Sequence, residues 1–359
     1  MMNFQKAWTT VILMLVLAVA GWALSEKQGV IEKNERWTAE EGPYLISDDI
    51  LVPWNVRLSI APGTRIMVGK PLAYSERIPQ HDDLDSFLVS IKVRGTLSCV
   101  GRRNNRIKIS ASAAGSDHCS WYGILLDSAD GEFTEIAYTD IADACNAIVV
   151  RRTGPLVRNS VLEYNSVGIY CTEGADPLIL NCISAYNFAA GIRIVGANPT
   201  LHNNIIAFNA NNGIWCDGIS HVRFAFNCVY KNADGDYLGC NPEFGVPVKT
   251  NKNGDSVDYA YNLRQSPIFA GSRADSLAVE HDLTLPTDRS RIRDTTLAKV
   301  VYDSLPDSTA NKRRAGRYRR YELSPYSPCR NAGKKGRIYK DVDETRNDMG
   351  IWGGPEFRN

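Results

Sequence analysis

PLVRNSVLEYN (155–165), PLILNCISAYN (177–187) and PTLHNNIIAFN (199–209) align without gaps, each starting 22 residues after the last. A fourth stretch, NCVYKN (227–232), repeats the end of this unit with one residue missing. Each unit is preceded by a small residue followed by Ile: Gly123-Ile124, Ala147-Ile148, Gly168-Ile169, Gly191-Ile192 and Gly213-Ile214, at spacings of 24, 21, 23 and 22. A fixed period of this size marks a solenoid, in which one structural unit stacks on the next. A leucine-rich repeat needs Leu at several set positions, and here those positions hold short Ile/Val strands with Asn corners. A helical repeat needs longer units with a 3.6-residue apolar period, whereas these strands alternate. The pattern predicts an all-β chain folded as a parallel β-helix, clearest over residues 123–234.

In such a fold, coils stack at about 4.8 Å and equivalent side chains form rows along the axis. The first inward row is then Ile124, Ile148, Ile169, Ile192 and Ile214, and the second is Leu126, Val150, Cys171, Ile194 and Cys216. Two columns of asparagine are expected at corners: Asn159, Asn181, Asn203 and Asn227, and Asn165, Asn187, Asn209 and Asn232. Asn tolerates the left-handed backbone of a sharp corner, and stacked amides can bond from coil to coil. Cys171 and Cys216 fall two coils apart, about 10 Å, beyond the reach of a disulfide. Cys99 and Cys119, about one coil apart in sequence, are the expected bridge.

Composition sets outer limits. The chain has 359 residues, 44% of them hydrophobic and 23% charged, enough apolar material for a large core. Its formal net charge of +1 lacks the basic excess that nucleic-acid binding requires, so no nucleic-acid partner is expected. At the N-terminus, Lys6 precedes an uncharged apolar run from Ala7 to Leu24, with Ala18-Val19-Ala20 as a small-x-small cleavage site. Residues 1–25 therefore read as an export signal; the run is also near the lower limit of a membrane span, so an uncleaved anchor is the alternative. The expected location is the periplasm, the cell surface or the extracellular space. Nine cysteines without C-x-x-C spacing suit export better than metal binding, and the odd count leaves at least one free thiol.

The chain resembles secreted bacterial right-handed β-helix proteins of the pectin-lyase-like superfamily, those built from parallel β-helix repeats. Besides the repeats, RWTAEEGPYLISDDILVPWNVRLSIAPGTRIMV (36–68) is similar to that family's opening coil, and VRGTLSCVGRRNNRIKI (93–109) and SWYGILL (120–126) to its first full coils. SPIFAG (266–271), YELSPYSPCRNAG (321–333) and DVDETRNDMGIWGGP (341–355) look like its irregular C-terminal closure. The resemblance implies one domain over 33–355, with polar insertions at 70–88 and 272–320. The first insertion holds Arg77, His81, Asp82 and Asp83; the second holds Lys312, Arg313, Arg314, Arg317, Arg319 and Arg320, a run read as solvated loop, with an acidic glycan as the sharper option. For activity the resemblance is unspecific, because the superfamily spans lyases, hydrolases, epimerases and adhesins.

The candidate site lies on the outward face of the Ile rows. Leu125, Val149, Tyr170, Arg193 and Trp215 form one outward row; Asp127, Arg151, Thr172, Val195 and Asp217 form the next. Tyr170, Arg193, Trp215 and Asp217 are the candidate substrate-binding residues, since aromatic rings and an Arg fork suit a sugar with hydroxyls or carboxylates. The plainer reading is that these side chains only cover the sheet. Glycosidases need two carboxyls roughly 5–9 Å apart, while Asp127 and Asp217 are four coils apart. Glu173, Asp176, Asp234 and Asp236 are loop carboxylates near this face. His81, His118, His202, His221 and His281 are scattered and read as structural. Asp341, Asp343 and Asp348 alternate somewhat like calcium ligands but lack the Gly and terminal Glu of an EF-hand; no cofactor is expected, with calcium as the alternative.

Three functions follow. The first is an exported carbohydrate-binding protein associated with polysaccharide or cell-surface glycan, with no catalytic residues identified. The second is a polysaccharide lyase or glycoside hydrolase acting on the same face, with Arg193 as proton acceptor in a lyase. The third is a structural or adhesive surface spacer.

Overall fold

The computed structural model describes residues 24–69, 88–112, 118–270 and 321–355. The expected export segment 1–25 and the insertions 70–88 and 272–320 therefore lie almost wholly outside the described residues. Strands are parallel throughout the solenoid, and each coil contributes one strand to each of three faces. The second face has eight strands, from Glu35–Trp37 to Arg223–Ala225, one for each of eight coils. The long strand Tyr44–Val52 turns a corner, its start pairing with Arg65–Val68 and its end with Ser90–Val93. That shared strand joins the first and third faces into one 16-stranded sheet. Among the described residues the first strand is Ser25–Val30, which pairs in parallel with Tyr44–Val52. Among the described residues the helix present is a single 3-10 turn, Arg337–Tyr339, so none is long and apolar enough to cross a membrane.

The first-face register agrees with the sequence rows. Ile124, Ile148, Ile169, Ile192 and Ile214 pair in order, as do Leu126, Val150, Cys171, Ile194 and Cys216. All ten are buried, and the rows extend backward through Ile91 and Val93 to Ile50 and Val52. The glycines before Ile169 and Ile192 have a steric cause: a Cβ on Gly168 would lie 2.1 Å from Ser184 Oγ, and one on Gly191 2.6 Å from Ile206 Cγ2.

The two asparagine columns differ in kind. Asn165 donates its backbone N–H and side-chain amide to Asn187 Oδ1 (3.1 and 3.2 Å), Asn187 does the same to Asn209, and Asn209 to Asn232. This amide ladder ends at Asp236, whose Oδ1 accepts from Asn232 and whose Oδ2 accepts from Arg264 Nε at 2.8 Å. A carboxylate suits the last rung because it only accepts, and Arg264 compensates its charge. One position earlier in the chain, Tyr164, Tyr186 and Phe208 take the left-handed corner conformation and stack at 5.7 and 5.5 Å. Burial pushes the Tyr186 hydroxyl up to about 12.

The other column needs a correction. Asn159, Asn181 and Asn203 are left-handed as expected, but the fourth member is Phe226 rather than Asn227. Asn204 and Asn227 instead belong to a separate amide ladder that continues to Asn262 and Asp258. Strand pairing places Leu201 on Phe224 and Ile205 on Cys228, a constant offset of 23, so the fourth unit lacks no residue. Nor do Asn159, Asn181 and Asn203 bond to one another: they hold the C-terminal segment. Asn159 Nδ2 donates to Ile351 O and Gly353 O; Asn181 Nδ2 donates to Asn347 Oδ1, Asp348 O and Gly350 O; Asn203 Oδ1 accepts from Lys334 N. Segment 321–355 thus lies along the third face, where Leu323, Cys329, Met349 and Ile351 cover Val161, Ile183, Ile205 and Cys228. The end of the solenoid is plugged by Phe224, Tyr237 and Phe244, with ring centroids 5.2–6.1 Å apart.

The disulfide is Cys119–Cys145, and the expected Cys99–Cys119 bridge is not formed. Cys99 points into the core against Thr139, whereas Cys119 and Cys145 precede adjacent first-face strands. Burial pushes the Cys99 and Cys171 thiols up to about 12, as expected of structural cysteines. Ile194 separates Cys171 from Cys216, in agreement with the two-coil spacing.

Candidate functional site on the first face

Outward alternation on the first-face strands places Leu125, Val149, Tyr170, Arg193 and Trp215 in one row, in the order read from the sequence. Leu125 and Val149 are only 2% exposed although they point outward, so an open surface starts at Tyr170. Tyr170, Arg193 and Trp215 are half-buried.

The Arg193 guanidinium lies between the two rings, its central carbon 4.8 Å from the Tyr170 centroid and 4.6 Å from the Trp215 centroid. Strand spacing of about 4.8 Å leaves room for one planar group between neighbours, and a planar cation over two electron-rich faces is favourable. This changes the expected chemistry. The facing sides of the two rings are filled by the guanidinium, so the space between them is not open to a sugar, and the outer rim of the cation is the polar group the site offers. Arg193 has no hydrogen-bond or ion-pair partner among the described residues, and its Nε is buried without one. Among the described residues this clamped cation meets no neutralising anion.

Asp217 is committed to its own turn. Its Oδ1 accepts from Ile219 N, Ser220 N and Ser220 Oγ, and its Oδ2 accepts from Gly196 N at 2.6 Å on the preceding coil. Slight desolvation works against its ionisation, but the Ser220 hydroxyl and these three amides hold the carboxyl below its usual range. It is a loop anchor, occupied as an acceptor.

At the other end of the face, Asp127 is buried and paired with both Arg151 and Arg152. Glu173 joins the same two guanidinium groups, giving a closed set of two acids and two bases. Burial opposes the charge on Asp127; the Arg151 hydrogen bonds and the nearby Arg151, Arg152 and Lys92 charges outweigh it and keep the carboxyl low. The alternation predicted the position of Asp127 but not its partner Arg152, whose left-handed backbone (φ 56°) bends the side chain toward Asp127. Asp127 and Asp217 remain four coils apart in the register, so the structure does not bring them together.

The other residues singled out take structural positions. Asp236 ends the amide ladder, His118 stacks on Phe188 at 4.2 Å, and His202 meets Lys334 at 3.0 Å. His221 donates its backbone N–H to Asn198. Asp341 and Asp348 lie together: burial and the Asp348 charge push Asp341 up to about 7, although Gly354 N and Asp348 N donate to it. Among the described residues no group of three or more His, Cys, Asp or Glu side chains is arranged to hold a metal ion. His81, His281, the 70–88 insertion and the basic run 312–320 fall outside the described residues.

Residues 102–253 match a family described as right handed beta helix region. No curated protein and no solved structure matches the chain.

Proposed function

For a right-handed parallel β-helix protein of this kind, we propose that the first face binds an acidic carbohydrate, with Arg193 as the group that receives its carboxylate. The observation that carries this reading is the partnerless Arg193 guanidinium held flat between Tyr170 and Trp215. A half-buried cation without a counter-charge is costly in the free protein and gains from an anion at its open rim, where charge-assisted hydrogen bonds are about twice as strong as neutral ones. Two aromatic neighbours fix the guanidinium in place, so little side-chain entropy is lost when a uronate docks. An exported location, read from residues 1–25, would bring the face to such polymers. Binding is favoured over catalysis because Asp127 and Asp217, the carboxylates of this face, are both committed to internal partners.

The test is titration of the protein with oligogalacturonate, with a neutral glucan oligomer for comparison. Trp215 abuts the binding rim, so tryptophan emission is expected to change with the acidic oligomer and not with the neutral one. Arg193→Gln is expected to weaken binding at least tenfold with little change in the thermal midpoint. Equal response to both oligomers, or acidic binding untouched by Arg193→Gln, overturns the proposal.

A further inference from the structure

At the far end of the same face, the sulfur atoms of Cys216 and Cys240 are 2.8 Å apart. Cys216 ends the strand Asn212–Cys216, and Cys240 follows the next strand up, Gly235–Leu238. Trp215 pairs with Leu238, so the two cysteines sit about one coil apart, a spacing of about 4.8 Å that falls inside the Cα window of a disulfide. Gly239 permits this approach: with φ 66°, its missing Cβ would lie 2.1 Å from the Cys216 carbonyl oxygen. Two thiols have no chemical reason to be held inside van der Waals contact, whereas a covalent pair does.

We infer that Cys216 and Cys240 are a second disulfide site, one that staples the last first-face strand beneath Trp215 and Asp217. Cys240 is partly exposed and Cys216 buried, which orders the steps. The Cys240 thiolate attacks a disulfide-bearing oxidant such as oxidised glutathione, forming a mixed disulfide and releasing one glutathione thiolate. The Cys216 thiolate then attacks the Cys240 sulfur and expels the second. Two protein thiols and one glutathione disulfide become one protein disulfide and two reduced glutathiones, the two electrons going to glutathione. In the reduced pair, contact with Cys240, followed by burial, pushes the Cys216 thiol up, which leaves Cys240 as the thiol that reacts first. The inference is independent of what the face binds.

The experiment equilibrates the purified full chain with oxidised glutathione, denatures it in the presence of iodoacetamide and maps the peptides by mass spectrometry. Cys216 and Cys240 are expected in one cross-linked pair, neither alkylated and both released by dithiothreitol. In Cys240→Ser, Cys216 is expected to take the label, and the unfolding midpoint of the oxidised protein to fall by several degrees. Alkylation of both cysteines in the oxidised wild-type chain, or linkage of either to a different cysteine, overturns the inference.

Discussion

The side-chain amide of Asn181 donates to the side-chain oxygen of Asn347 at 2.9 Å, across 166 residues of sequence. The same amide reaches Asp348 O at 2.8 Å and Gly350 O at 3.2 Å, so one side chain on a solenoid corner holds three acceptors of the C-terminal segment. Asn181 is left-handed (φ 53°), and Gly adopts that conformation without strain. Asn181→Gly therefore removes the amide while keeping the corner. A cost of about 1–3 kcal/mol is expected, because buried acceptors are left unmatched. The loss should appear as faster hydrogen exchange at Met349 and Gly350, whose amides donate to Cys329 O and Asn203 O, with little change at Ile169 or Ile192. Unchanged exchange at Met349 and Gly350 would show that the segment is held by its apolar contacts alone.

Asn187 plays a different part, although it was read as an equivalent corner. Its Oδ1 accepts twice from Asn165, and its Nδ2 donates to Leu162 O, Ser184 Oγ and Asn209 Oδ1. Replacing it with Ala strands buried polar groups on both neighbouring coils, which costs roughly 2–5 kcal/mol. Urea unfolding of Asn187→Ala should show a lower midpoint with the slope unchanged. A midpoint shift smaller than that of Asn181→Gly contradicts the difference in role argued for the two columns.

How far the sequence reveals these roles depends on where each partner lies. Ile124 through Ile214 and Tyr170, Arg193 and Trp215 were legible because their partners sit one repeat away, and a period states such neighbours directly. The assignment of Asn227 to the wrong column came from aligning residue identities: Asn203-Asn204 offers two candidates, and only backbone pairing distinguishes them. The grip of Asn159 and Asn181 on the C-terminal segment is illegible, since its partners lie more than 160 residues away and all but the Asn347 side chain are backbone carbonyl groups, which any sequence supplies. The filling of the ring faces by Arg193 follows from side-chain conformation rather than spacing, so the row was predicted while its chemistry was not.

The register of the core is open to a direct challenge. Ile192 is 1% exposed and packs between Ile169 and Ile214. Ile192→Val deletes one methylene and should cost about 0.5–1.5 kcal/mol while leaving a cooperative transition. Ile192→Asp places an unpaired charge in the row and should abolish folding, as seen by loss of the far-ultraviolet β signal and of soluble yield. A soluble, cooperatively unfolding Ile192→Asp protein would mean that this side chain does not point inward.

Docking of the C-terminal segment should respond to pH through two groups with opposite signs. His202 Nδ1 bonds Ala225 O, and its Nε2 accepts from the Lys334 ammonium, an arrangement that needs a neutral ring. Burial, then the Lys334 charge, lowers its pKa from 6.5, so the stability it contributes is present above pH 6.5 and lost as pH falls through the lowered value. Asp341 behaves in reverse. Burial and Asp348 raise it from 3.8 to about 7, so its contribution is full below pH 3.8 and disappears as pH rises through about 7. Wild-type protection of Met349 and Gly350 from hydrogen exchange, corrected for the intrinsic rate, should thus be the sum of these two opposed limbs between pH 5 and 8. Asp341→Asn, which can still accept from Gly354 N and Asp348 N, leaves the histidine limb, and protection should rise with pH. His202→Gln, whose amide oxygen can still accept from Lys334, leaves the aspartate limb, and protection should fall with pH. Two variant profiles that run parallel to the wild type would remove both groups from control of the segment.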